Sequence, residues 1–250
     1  MDKTITKKEV FFVFTLAFVA RYVFAYFSGT AVVDGPDWGR YDLQSDWILS
    51  GNFNLVMPTG LYIIAPFFNY LLAGMKYIFG AYYPFFLVFL QTALSAIAVI
   101  CLMKTAEIIF HDYRKSLLSG IAYALYPMTL YYTQLFSQES IFQSFFVISI
   151  YYLSKFLNIR QKKDLVLFSV CFSLALLTKS HINFIWPFLL LGMLVTLDNK
   201  QKLFSEILII LGIIFITTLP YGLYNKSVND AYVLSAGGFG GHFASANNEG

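Results

Sequence analysis

The stretch "LYIIAPFFNYLLAGMKYIFG", residues 61–80, decides the topology of the whole chain. An apolar helix of this length can cross the hydrocarbon core of a bilayer. This run, however, carries Pro66 in its first half, Asn69 near its centre and Lys76 near its end. Those residues suit a helix lying in the interface, or a re-entrant element packed on protein, better than a lipid-exposed span. The chain around it is 58% hydrophobic and only 12% charged, with a mean hydropathy of +0.65. Soluble domains carry roughly 25% charged residues, so the solvent for most of this surface is lipid. Aromatics reach 19%, with 27 Phe and 18 Tyr. Tyr in such numbers fits rings placed at membrane–water interfaces.

Working outward, eight apolar segments approach membrane length: residues 10–29, 61–80, 82–103, 116–135, 140–158, 165–180, 183–197 and 203–224. Basic residues gather in four clusters between them, Lys3/Lys7/Lys8, Lys104/Arg114/Lys115, Lys155/Arg160/Lys162/Lys163 and Lys200/Lys202. The positive-inside rule sends all four to the cytoplasm. Three apolar segments separate the first cluster from the second, and an odd number of crossings would put the second outside. One of the three therefore stays on one side, and 61–80 is the candidate. The expected fold is an all-α, polytopic helical bundle of about seven spans, with 61–80 as an in-plane or re-entrant segment. Eight spans, with one cluster on the wrong side, is the alternative. Residues 1–250 read as a single membrane domain, with its N-terminus cytoplasmic and its C-terminus outside. The loop 30–60 and the tail 225–250 then both face outward. "MDKTITKKEV" leads into a span without a small-residue cleavage site and reads as a signal anchor. Cys101 and Cys171 lie inside apolar segments as small hydrophobes, and no Cys/His spacing suggests zinc.

The outward loop holds "VVDGPDWGRYDLQSDW", residues 32–47, with four of the chain's 14 acidic residues: Asp34, Asp37, Asp42 and Asp46. A short amphipathic helix is expected from Trp38 to Leu49. Asp42 and Asp46, four apart, share one face and read as its wet side. Asp37 precedes the helix, at the positive end of its dipole, with Arg40 three residues on. A carboxylate there can act as general base on a hydroxyl, and a neighbouring cation can bind phosphate. Other polar residues at outer span ends could converge on it. Glu139 is a favourable charge at a helix N-terminus by itself. Lys179, in "LLTKSHINFIWP" with His181, is a snorkelling lysine by itself. Arg21 lies midway along the first span, where a charge costs several kcal/mol on insertion scales. It must face the bundle, and the sequence shows no partner for it.

These motifs, taken in order, resemble the GT-C superfamily of integral-membrane glycosyltransferases. The likeness is to the branch of protein O-mannosyltransferases and lipid A aminoarabinose transferases. It runs from "FVARYVF" through "DWGRY" (Asp37 to Tyr41), "SGNF" and "MPTGLYIIAPF" to "SGIAYALYPMTLYYTQLFSQES", "LALLTKSHINFIWP" and the tail "LSAGGFGGHFASANNEG". The resemblance implies transfer of a sugar from a polyprenyl-phosphate donor to a hydroxyl or amine of a lipid, glycan or protein acceptor. Transfer would occur at the outer face and with inversion. It makes Asp37 the catalytic acid of the first loop and Glu139 a second acid. Arg40, Tyr41, Lys179, His181, Asn247 and Asn248 become substrate-binding residues, with the cations offsetting charge on the leaving phosphate. A divalent cation serves some members, and no ligand set here marks one. Membrane lipids are partners and nucleic acid is not. The composition fits a bacterial plasma membrane. Two departures stand out: Ala65-Pro66 where many relatives have a double proline, and "DW" where several have a double acid. The chain also stops at Gly250 inside the tail element, whereas members usually run on through further spans. A transporter of lipid-linked sugars and a non-catalytic scaffold are the other readings. The first lacks a visible inverted repeat, and the second gains from the early stop.

Overall fold

The computed structural model describes residues 4–28, 38–55, 65–196, 200–230 and 232–234. It is helical, with no strand among the described residues. The helices are α1 (Lys7–Ser28), α2 (Trp38–Leu49), α3 (Pro66–Phe79), α4 (Tyr83–Phe110), α5 (Tyr113–Ala124), α6 (Pro127–Tyr132), α7 (Gln138–Ile159), α8 (Lys162–Thr178), α9 (Trp186–Thr196) and α10 (Lys200–Asn229). Two 3-10 segments, Gly80–Tyr82 and Ser180–Ile185, join α3 to α4 and lead into α9. Among the described residues, four stretches are long and apolar enough to cross a membrane: Lys7–Phe27, Pro66–Phe110, Gln138–Ile159 and Lys202–Asn229.

Proline starts helices here, because its missing N–H costs nothing in the first turn. Pro66 opens α3, Pro84 stands in the first turn of α4, and Pro127 opens α6. Two tight turns use a left-handed residue instead of a loop. His111 (φ 50°) ends α4, and Arg160 (φ 62°) ends α7. After His111, Asp112 caps α5 at once by accepting a hydrogen bond from the Lys115 backbone N–H at 3.0 Å. That bond, with the Arg114 backbone N–H and the charges of Lys115 and Arg114, holds its carboxyl below the usual aspartate range.

The packing runs α1–α4–α7–α8–α10, with α5 against α1 and α4, and α2 lying on α3. One core joins α7, α8, α9 and α10 through Phe156, Phe168, Phe172, Met193 and Ile210. A second joins α1, α4 and α5 through Val13, Ala17, Val99, Met103 and Ala124. A third joins α2, α3, α4 and α7 through Tyr41, Phe68, Leu72, Leu87 and Ile141. The opposite faces of α1, α9 and α10 expose large apolar side chains, among them Phe11, Phe188 and Ile216, each more than seven-tenths exposed. Such a surface belongs in lipid.

Polar contacts define two ends of the bundle. At one, the Ile5 N–H donates to Glu107 (2.7 Å), Lys104 pairs with Glu107 (2.7 Å), and Tyr113 donates to Glu9. Lys155 pairs with Asp164 (2.9 Å), and Arg160 donates to the Thr196 carbonyl (2.7 Å). The start of α1, the end of α4, the start of α5, the end of α7, the start of α8 and the end of α9 therefore all meet there. This is the basic end. At the other end, Lys76 meets α2, Lys179 meets Glu139, and Asn54 exchanges amide hydrogen bonds with Asn229 (3.1 and 3.2 Å).

Arg21 is fully buried, and among the described residues no carboxylate bonds to it. Its guanidinium donates twice to Ser95 Oγ (2.6 and 3.0 Å), to the Ala17 carbonyl (2.6 Å) and to the Ala124 carbonyl (3.4 Å). Ala124 is the last residue of α5, which breaks before Pro127. The negative end of a helix dipole thus faces the buried cation. The partners the sequence did not show are the Ser95 hydroxyl and a helix end.

Candidate active site

The acidic-loop helix, α2, is fastened to α3 at two levels. Lys76 of α3 pairs with Asp42 (2.7 Å) and Asp46 (2.6 Å), one helical turn apart. Deeper, Asn69 donates to Gln44 (2.9 Å), and Gln44 donates to the Leu55 carbonyl (3.1 Å), all three residues buried. Tyr41 packs edge-on to Phe68 at 5.0 Å and is 1% exposed. The two aspartates do form the wet side of α2, and they also hold the lysine that makes 61–80 an awkward span.

The first turn of α2 rests on the turn before α7. Trp38 stands 4.2 Å from Phe136, ring to ring. Three residues beyond Phe136, in the first turn of α7, Glu139 accepts a hydrogen bond from Lys179 Nζ at 2.7 Å. Lys179 lies just past the end of α8, 40 residues away in sequence. Both side chains keep about a quarter of their surface exposed, at 24% and 25%. One ammonium proton serves Glu139, and the other two can reach an anion. Leu177, two residues before Lys179 in sequence, joins Phe53, Phe67, Tyr70, Tyr221 and Tyr224 around a cavity of about 330 Å³. Pro220 also lines it, and as a proline inside α10 it leaves the helix without one backbone hydrogen bond.

The structure thus brings two of the expected site residues, Glu139 and Lys179, into contact. Arg40 is exposed on α2, and His181 is exposed on the 3-10 segment after Lys179. Tyr41 is on α2 as well, with its ring edge-on to Phe68 and 1% exposed. Asp37, Asn247 and Asn248 lie outside the described residues. Among the described residues no group of three or more His, Cys, Asp or Glu could hold a metal ion. The carboxylates described at this end, Asp42, Asp46, Glu139 and Asp230, are each met by a lysine.

The family model for dolichyl-phosphate-mannose-protein mannosyltransferases matches residues 64–224. The chain belongs to that family. It is therefore a membrane glycosyltransferase of the GT-C class, of the kind that draws its sugar from a polyprenyl-phosphate donor. No curated protein and no solved structure matches it. The match in this mannosyltransferase-family chain covers α3 and all but the last turn of α10, so both Glu139 and Lys179 fall within it. The loop containing Asp37 precedes the matched region.

Sequence reasoning missed the buried amides. Gln91 of α4 donates to the Thr133 and Leu135 carbonyls (3.2 and 3.0 Å), and Gln134 donates to the Arg21 carbonyl (3.1 Å). A signal was present: Gln91 is a lone amide in the apolar run "YPFFLVFLQTALSAIAVICLM". Polar groups inside a span are costly enough to have a task.

Proposed function

We propose that this chain transfers a sugar from a polyprenyl-phosphate donor to an acceptor hydroxyl or amine at the outer face of a plasma membrane. Seven crossings fit the contacts best: α1, α4, the broken pair α5–α6, α7, α8, α9 and α10. The start of α1 and the end of α4 meet at the basic end, so the chain between them goes out and returns. That leaves α3, only 14 residues long, on the outer side with α2. The positive-inside rule makes the basic end cytoplasmic and puts the acidic loop, Glu139 and Lys179 outside. A bacterial membrane remains the reading from composition.

The observation that carries the proposal is Lys179, held by Glu139 at 2.7 Å, in a chain of this family. Lys179 binds the donor phosphate, and Glu139 fixes the direction of its ammonium. The cavity takes the first isoprene units, whose apolar surface suits its rings. Asp37 follows directly into Trp38, which rests on the turn carrying Glu139. Asp37 accepts the acceptor proton as the acceptor atom attacks the anomeric carbon. The bond from that carbon to the phosphate oxygen breaks, and polyprenyl phosphate leaves with the electron pair. Attack opposite the leaving group inverts the anomeric configuration. Lys179, Arg40 and His181 lie towards the phosphate, whose charge grows in the transition state. Asn247 and Asn248 of the tail contact the sugar.

The test is transfer from a mixed pool of polyprenyl-phosphate sugars by the purified chain in detergent, followed by mass spectrometry. Turnover lost in both Asp37→Asn and Lys179→Gln, each still folded, supports the assignment. Unchanged turnover in either removes that residue from the mechanism.

A further inference from the structure

Two parts of the proposed site, the start of α2 and the helical turn bearing Glu139, meet one short segment, the turn from Thr133 to Ser137 between α6 and α7. It carries Phe136, on which Trp38 and the start of α2 rest, and it launches the helical turn bearing Glu139. The turn is deeply buried, with Thr133, Gln134 and Phe136 at most 2% exposed. The Ser137 side chain does not cap α7, so the local sequence does not itself fix how that helix starts.

Two glutamines fix it from opposite sides. Gln91 spends both amide protons on the carbonyls of Thr133 and Leu135. Gln134 reaches the other way, to the backbone carbonyl of Arg21 in α1 (3.1 Å) and to Thr133 Oγ (3.3 Å). Arg21 in turn binds Ser95, one helical turn from Gln91 on the same face of α4, and the end of α5. Helices α1, α4 and α5 thereby converge on five residues. Buried amides in a membrane bundle usually do no more than join helices. These two clamp the segment from which both sides of the site project.

We infer that Gln91 and Gln134 are positioning residues, setting the spacing between the start of α2 and the Glu139–Lys179 pair, with Arg21 as their anchor. The inference rests on the functional reading above. The mechanical part of it does not depend on turnover.

The test uses Gln91→Met, which keeps side-chain volume and removes both hydrogen bonds, and Gln134→Met, which releases the turn from the other side. Each is made in the full chain carrying Trp47→Phe and Trp186→Phe, so that Trp38 alone reports. Two quantities are read per folded molecule: Trp38 emission, which senses how dry its seat against Phe136 is, and the kinetic constants for donor. The expected result is a shifted Trp38 emission and a kcat lower by about 10- to 100-fold, with KM for donor nearly unchanged. Amides that only stabilise the bundle lower the folded fraction and move neither quantity. Unshifted Trp38 emission, or an unchanged kcat per folded molecule, in whichever variant folds, overturns the inference. If Asp37→Asn and Lys179→Gln also keep full turnover, the functional reading has failed, and the emission of Trp38 still decides the brace.

Discussion

Breaking the Glu139–Lys179 pair gives a sharp energetic test of the site. At 2.7 Å and an effective dielectric of about 20, two unit charges attract by about 6 kcal/mol before any desolvation is counted. Most of that is cancelled, because both groups have lost about three-quarters of their exposure. What remains should match a hydrogen bond between charged groups, about 1.5–3 kcal/mol. Glu139→Gln and Lys179→Met should each destabilise the folded chain by about 2 kcal/mol, since each strands a half-buried charge. The double variant should cost much less than their sum. The assay is reversible unfolding in mixed micelles, with all four proteins compared as a cycle. Additive effects, within about 0.5 kcal/mol, would mean that the two groups do not interact. In that case the lysine is a snorkelling cation and nothing holds it for a phosphate.

Two further outcomes follow from packing and topology. A Cβ at Gly120 would stand 3.0 Å from Met103 Cβ. Gly120→Ala should therefore push α5 off α4 and cost about 1–3 kcal/mol. Gly74, on α3, has nothing within 4 Å, so Gly74→Ala should be neutral or stabilise by up to about 1 kcal/mol. Equal melting of the two variants would contradict the close α4–α5 contact. For topology, single cysteines go into a background lacking Cys101 and Cys171. Those replacing Asp46 and His181 should react with an impermeant thiol reagent on intact cells, and those replacing Lys115 and Lys163 should not. Labelling at Lys115 would restore the crossing of 61–80 and the eight-span alternative.

Much of the architecture is local and was legible. The apolar segments became helices because length and hydropathy are properties of neighbouring residues, and α2 covers Trp38–Leu49 as its amphipathic pattern suggests. The charge clusters marked helix ends by the same logic. The span count was legible only as parity, because α5 and α6 are too short to be recognised singly and α3 is continuous with α4 through a 3-10 turn. Of the site, Glu139 and Lys179 stood out as charges in apolar surroundings, while Tyr41 stood out by motif and is buried against Phe68.

The sequence by itself determined that this chain lives in a membrane, which ends of its helices are basic, and which family it belongs to. Only the tertiary structure decided which polar group meets which. Lys179 finds a carboxylate 40 residues away, Lys76 reaches back to Asp42 and Asp46, and Arg21 finds the broken end of α5. The physical reason is geometric. A helix's pattern fixes what lies on one face, but the neighbour that face meets, and the rotation at which it meets it, depend on how all the helices pack together.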